Sequence, residues 1–168
     1  QYEYYAPEKG SDRHHRMILS KLEDLLENPK QAKSTDTIKY LHQIAEKMHR
    51  RSLIILFTDM FQHENEEALF NALQHLKHNK HKVVLFHVVD NKTELNFDFD
   101  NAPRKFIDLE TGEEVNIYAD NVKEMYEKNV AASFKKLALT CAQNKIKYVP
   151  VSVGDNFEKI LTTYLVEK

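Results

Sequence analysis

The chain has 168 residues, the size of one domain and enough to bury a core. A hydrophobic share of 42% and 24 basic against 26 acidic side chains, a formal charge of −2, are the figures of an ordinary globular protein and give no electrostatic ground for binding nucleic acid or an anionic membrane. The longest apolar run, Leu53-Ile54-Ile55-Leu56-Phe57, falls far short of the roughly 20 residues of a membrane helix, and no charged-then-apolar leader is visible. A lone cysteine, Cys141, has no internal partner for a disulfide, which fits a reducing, cytoplasmic setting.

In chain order, residues 1–11 are aromatic and polar and read as a short strand or arm entering a turn. Asp12 is placed to cap a helix whose apolar positions Met17, Ile18, Leu22, Leu25 and Leu26 recur at helical spacing, and Asn28-Pro29 ends it. Ser34-Thr35-Asp36 offers a second cap, before Ile38, Leu41, Ile44, Ala45 and Met48. The period then changes. Residues 52–58 form a continuous apolar strand, the pattern of a strand covered on both faces, and Asp59 follows it. A helix is expected over 65–79 and a second buried strand over 82–89, ending at Asp90. Residues 104–118 alternate around Glu110-Thr111-Gly112-Glu113 and read as a β-hairpin. A long helix over 120–144, a β segment over 148–153 and a helix over 157–165 complete the order α-α-β-α-β-hairpin-α-β-α. Strands alternating with helices imply parallel pairing and a single α/β domain over residues 1–168. The chain opens on Gln1 rather than Met, and the uninterrupted apolar strand at 53–57 asks for a neighbour on each side. Both features read as a longer protein whose N-terminal strands are absent here.

In open parallel sheets, ligands collect outside the carboxyl ends of the strands. Asp59 and Asp90 stand there, with Thr35 and Thr58 as further oxygen donors, the residue types from which a Mg²⁺ site is built. The plainer reading is that both aspartates cap the loops that follow. His75, His78 and His81 recur at a spacing of three but lack the further ligands of a closed zinc site; the adjacent His14 and His15 point to different sides of their helix. Cys141, in an apolar helical stretch, reads as a small core residue. No G-x-S-x-G elbow, phosphate-binding G-x-x-x-x-G-K-[ST] loop or G-x-G-x-x-G loop occurs, and 3 glycines in all are too few for several Gly-rich catalytic loops. The run Asn96-Phe97-Asp98-Phe99-Asp100 is either a loop whose phenylalanines tuck onto the core or an exposed docking patch.

The string Arg50-Arg51-Ser52-Leu53-Ile54-Ile55-Leu56-Phe57-Thr58-Asp59-Met60-Phe61 resembles the "RRSL-hydrophobic-(S/T)D" strand of the domain-of-unknown-function 58 proteins. These are MoxR-associated bacterial proteins with a von Willebrand factor A-like fold. Ala72-Leu73-Gln74-His75-Leu76 and Lys82-Val83-Val84-Leu85-Phe86-His87-Val88-Val89-Asp90 follow in the same order. Phe106-Ile107-Asp108-Leu109-Glu110-Thr111-Gly112-Glu113 is similar to the family's most specific segment, "(F/V)-x-D-L-E-T-G-E". The resemblance spans nearly the whole chain, and Bacteroidetes members look most alike.

That resemblance implies a three-layer, Rossmann-like parallel sheet of von Willebrand factor A type, flanked by helices, with the hairpin near 104–118 inserted. It implies a metal-ion-dependent adhesion-type site in which Thr35 matches the second loop and Asp59 the third; the first loop, D-x-S-x-S, has no counterpart here. No cofactor is expected in this fragment, and magnesium only in the longer protein. The implied role is non-enzymatic: an interaction or adaptor domain acting with a MoxR-type AAA+ ATPase in the maturation or assembly of other proteins. Two rival expectations are a Mg²⁺-dependent phosphoester hydrolase using Asp59 and Asp90, and a structural oligomerisation domain whose copies pair through the edge of the strand at 52–58.

Overall fold

The structure is a computed structural model and describes residue 6 and residues 9–28, 37–49, 51–59, 66–78, 80–100, 102–107 and 114–166. The chain divides into two compact units, Gln1–Asp36 and Thr37–Lys168.

The first unit contains α1 (Asp12–Glu27). Its cap is Ser11 rather than Asp12: the Ser11 backbone is extended, and its hydroxyl accepts from the His14 N–H at 3.3 Å. Asp12 instead occupies the first turn, where a carboxylate complements the helix dipole. Asn28 ends the helix as expected, and His14 is buried while His15 is exposed, on different sides as their adjacency requires.

The second unit is mixed α/β. Its elements are α2 (Thr37–Lys47), β1 (Leu53–Thr58), α3 (Glu66–His78), β2 (Lys82–Val89), a single π-helical turn (Asn91–Leu95), β3 (Pro103–Ile107), β4 (Glu114–Tyr118), α4 (Ala119–Gln143), β5 (Lys147–Ser152) and α5 (Phe157–Val166). β1, β2 and β5 form a parallel sheet in that order, with Ile54 opposite Val83 and Leu85 opposite Tyr148. β3 and β4 pair antiparallel as a separate two-stranded ribbon, Pro103 opposite Tyr118. The turn expected at 110–113 lies outside the described residues.

In-register residues of parallel strands share a face, and alternate residues switch faces. One face carries Ile54, Leu56, Val83, Leu85 and Tyr148. It packs against Leu41 and Ala45 of α2, Ala72, Leu73 and Leu76 of α3, and Leu137 and Cys141 of α4, forming the core. On the other face, Phe86 meets Tyr164 of α5 edge-on at 5.9 Å. Helices therefore flank the sheet on both sides. β2, the central strand, is buried along nearly its whole length, which is why it reads as Val-Val-Leu-Phe-His-Val-Val.

The first strand departs from its reading as covered on both faces. Ile54 is 5% exposed, but Leu53, Ile55 and Phe57 on the opposite face are 52%, 44% and 67% exposed. Among the described residues β1 pairs with β2 alone and is an edge. Apolarity at every position suggests cover on both faces; among the described residues only one face has it.

The three parallel strands share an entry device. Arg51, Lys80 and Lys145, each two residues before its strand, have φ of 68°, 62° and 55°. After α4, the Lys145 N–H reaches the Ala142 carbonyl at 3.0 Å and the Ile146 N–H reaches the Cys141 carbonyl at 2.8 Å. These are the two hydrogen bonds of a Schellman ending, with lysine in the left-handed place that glycine favours. Ile146 and Cys141, whose backbones that bond joins, are both buried in the core.

Candidate functional site

The carboxyl end of the sheet brings together residues from four elements. Thr58 closes β1 opposite His87 in register, Asp59 follows it, and Asp90 follows β2. The Asp59 side chain is exposed and that of Asp90 half-buried.

Asp90 is committed to the backbone. Its Oδ1 accepts from the Lys92 N–H at 2.8 Å, capping the π-helical turn, and Glu94 Oε2 accepts in return from the Asp90 N–H at 2.8 Å. The reciprocal arrangement resembles a capping box and explains both carboxylates without a ligand. Asp59 contributes its carbonyl oxygen, which accepts from His87 Nε2 at 2.8 Å.

His87 is the centre of this end of the sheet. It is 1% exposed and uses both ring nitrogens, Nε2 toward Asp59 and Nδ1 toward the Tyr148 hydroxyl at 2.8 Å. A carbonyl cannot donate, so Nε2 carries the proton and Nδ1 accepts from Tyr148. Phe134 of α4 packs edge-on against the ring at 4.4 Å. Burial pushes the His87 imidazole below its ordinary value, outweighing the Asp59 hydrogen bond and the Asp59 and Glu94 charges that pull it up. The same burial pushes Tyr148 up to about 12, with Cys141 adding to it, and Cys141 up to about 11. Tyr126 is also raised, by burial and then by Glu94. The result is a set of neutral groups: an imidazole with both nitrogens engaged, a phenol and a protonated thiol. Such a set ties strands together; it does not offer a base poised beside a nucleophile.

The sequence reading placed Asp59, Thr58 and Asp90 at this end of the sheet, and they are there. Thr35 lies outside the described residues. Among the described residues, no group of three or more His, Cys, Asp or Glu side chains is arranged to hold a metal ion. His87 and Tyr148 were missed, although a histidine inside an otherwise apolar strand was the available signal. The histidine triplet of the sequence does not form one face: His81 lies beyond α3, where its buried Nδ1 accepts from the Ser52 N–H at 3.1 Å. That bond joins the entries of β1 and β2 and leaves the His81 Nε2–H without a partner among the described residues.

The acidic-aromatic loop turns inward. Phe97, buried and at φ 45°, stacks on Phe106 at 5.5 Å and meets Tyr126 of α4 at 4.5 Å; Phe99 packs edge-on against both phenylalanines. The two aromatics thus anchor β3 to α4 instead of forming a docking patch.

A family model, "Protein of unknown function DUF58", matches residues 1–136. The chain belongs to the DUF58 family. The match takes in α1 through most of α4, including β1 and Asp59, β2, His87 and Asp90. No curated protein matches the chain, nor does any solved structure. Among the described residues of this DUF58 chain, no helix is long and apolar enough to cross a membrane.

Proposed function

We propose that this DUF58 chain is a non-enzymatic docking module of von Willebrand factor A type, acting in the cytoplasm with a MoxR-type AAA+ ATPase in the maturation or assembly of other proteins. The observation that carries the reading is the open side of β1: Leu53, Ile55 and Phe57 are exposed in a row on one face of a strand that, among the described residues, stands at the sheet edge. An edge presents backbone donors and acceptors, and a row of apolar side chains beside it adds specificity. Together they suit an extended segment of a partner added as a further strand. The neutral, mutually satisfied groups around His87 supply no rival chemistry.

Within this reading, Asp59 belongs to a metal-ion-dependent adhesion-type site completed by a D-x-S-x-S loop in a longer form, with Mg²⁺ bridging to an acidic group on the partner. Asp90 has less claim, its carboxylate being engaged by Lys92.

The test is binding of this chain, and of a form extended upstream, to a purified MoxR-type ATPase from the same genome. The expected result is capture by both forms, tighter with the extended form. Ile55→Lys and Phe57→Lys should weaken capture by this chain, whose β1 edge is open, and Asp59→Ala should weaken only the extended form. Equal capture by wild type and the lysine variants would refute the β1 surface, and no capture by either form would refute the partner.

A further inference from the structure

Away from the carboxyl end of the sheet, His42 on α2 and His75 on α3 face each other with Nδ1 to Nδ1 at 3.0 Å and ring planes tilted by 45°. Both rings are half-buried. Two unprotonated ring nitrogens repel at that distance, so in the bare pair one ring must carry its proton on Nδ1 and donate to the other. A shared proton is one way to reconcile two facing lone pairs. A metal ion is the other. Two nitrogens bound to one ion at about 2.0–2.1 Å stand about 2.9 Å apart at a right angle and about 3.4 Å apart at the tetrahedral angle. The observed separation lies within that interval. The helices are held by Leu41 and Ala45 on one side and Ala72, Leu73 and Leu76 on the other, all buried. The two nitrogens are therefore in position before any ligand arrives.

We propose that His42 and His75 form a two-histidine site for a divalent transition cation, with water completing its coordination. Two protein ligands make an open, exchangeable site, unlike a closed structural zinc centre with four. Imidazole selects zinc, nickel or copper over magnesium and calcium, which prefer oxygen. The site is thus distinct in place and in chemistry from the magnesium site attributed to Asp59. Binding takes both rings as neutral tautomers with the proton on Nε2, so the donating ring of the bare pair shifts its proton from Nδ1 to Nε2. An ion held this way clamps α2 to α3 and stabilises the folded chain by mass action.

Calorimetric titration of the whole chain with Ni²⁺ at about pH 7.5 tests the assignment. Wild type and His78→Ala, a control one turn along α3, should each bind one ion. Affinity should fall by at least about 10-fold in His42→Ala, His75→Ala and His42→Gln. Ni²⁺ should raise the thermal midpoint of wild type and not of the variants, each checked for folding by circular dichroism. Selective broadening of the His42 and His75 ring resonances by Ni²⁺ reads the same contact with no substitution at all. Absence of one-to-one binding by wild type, binding that survives in folded His42→Gln, or broadening confined to other histidines overturns the proposal.

Discussion

The Tyr148 hydroxyl donates to His87 Nδ1 at 2.8 Å, and the same ring donates through Nε2 to the Asp59 carbonyl at 2.8 Å. One buried imidazole on β2 thereby links β5 to the segment leaving β1. The ring itself is buried, so a nitrogen that loses its partner is left costly to satisfy.

Tyr148→Phe leaves His87 Nδ1 buried without a donor. The expected cost is about 1–3 kcal/mol, read from the urea midpoint at constant slope. In the wild type, one tyrosine should ionise late in a spectrophotometric titration, near the value of about 12 to which burial pushes Tyr148. That late step should vanish in the variant.

His87 makes stability depend on pH. Unfolded, its imidazole takes up a proton near the ordinary 6.5; folded, burial holds that event to lower pH. Between the two the unfolded chain binds more protons, so stability falls as pH drops below 6.5 and levels off once the folded ring has titrated. Urea midpoints measured from about pH 7.5 to about pH 5 should decline more steeply in wild type than in His87→Gln. Parallel curves would assign the decline to other histidines.

Cys141 should behave as a core atom. It is fully buried, and its thiol is raised to about 11. A thiol-reactive disulfide reagent at neutral pH should label the folded chain at least about 100-fold more slowly than the urea-unfolded chain. Comparable rates would place Cys141 at the surface.

Lys145 holds a position that glycine fits better. With φ at 55° it bears the left-handed strain of a side chain in a Schellman ending. Lys145→Gly should stabilise the chain by about 0.5–1 kcal/mol, because relief of that strain exceeds the entropy glycine adds to the unfolded state. A lower denaturation midpoint would show that the lysine side chain contributes more than its strain costs.

The edge of β1 should also pair copies of this chain when no partner is present. Sedimentation at rising concentration should show association in wild type. Phe57→Lys should reduce it by roughly 10-fold or more at a stability cost of about 1–2 kcal/mol, since that side chain is largely exposed but stacks on Phe86 at 4.9 Å. A monomer at every concentration would remove the edge from consideration.

Most of the element order was legible because the hydrophobic period switches between helix and strand at Ser52, Lys82 and Lys147. The helix cap was misjudged by one residue, since Ser11 and Asp12 both carry capping oxygens and only the backbone conformation separates them. The exposure of Leu53, Ile55 and Phe57 was not legible: an apolar residue announces a preference for burial, and only the sheet order shows whether a neighbour supplies it. At the candidate site, the positions of Thr58 at the end of β1 and of Asp59 and Asp90 just after their strands were legible. The bond from His87 to Tyr148 was not, because it spans 61 positions and depends on the register of β2 against β5. The His42–His75 pair was hidden likewise, its 33-position separation bridged only by the packing of two helices.

The register also sets a timetable. Val84 pairs with Lys147, so joining β5 to β2 closes a loop of 63 positions, the difference of those two numbers, whereas Ile54 and Val83 are 29 apart. During synthesis β1 and β2 can meet while β5 is still unmade. At roughly 5–20 residues per second, the ribosome leaves β2 with one side unpaired for several seconds. Its run of Val, Leu and Phe makes that interval the time of greatest exposure to aggregation, when a chaperone holding the nascent chain would do most good.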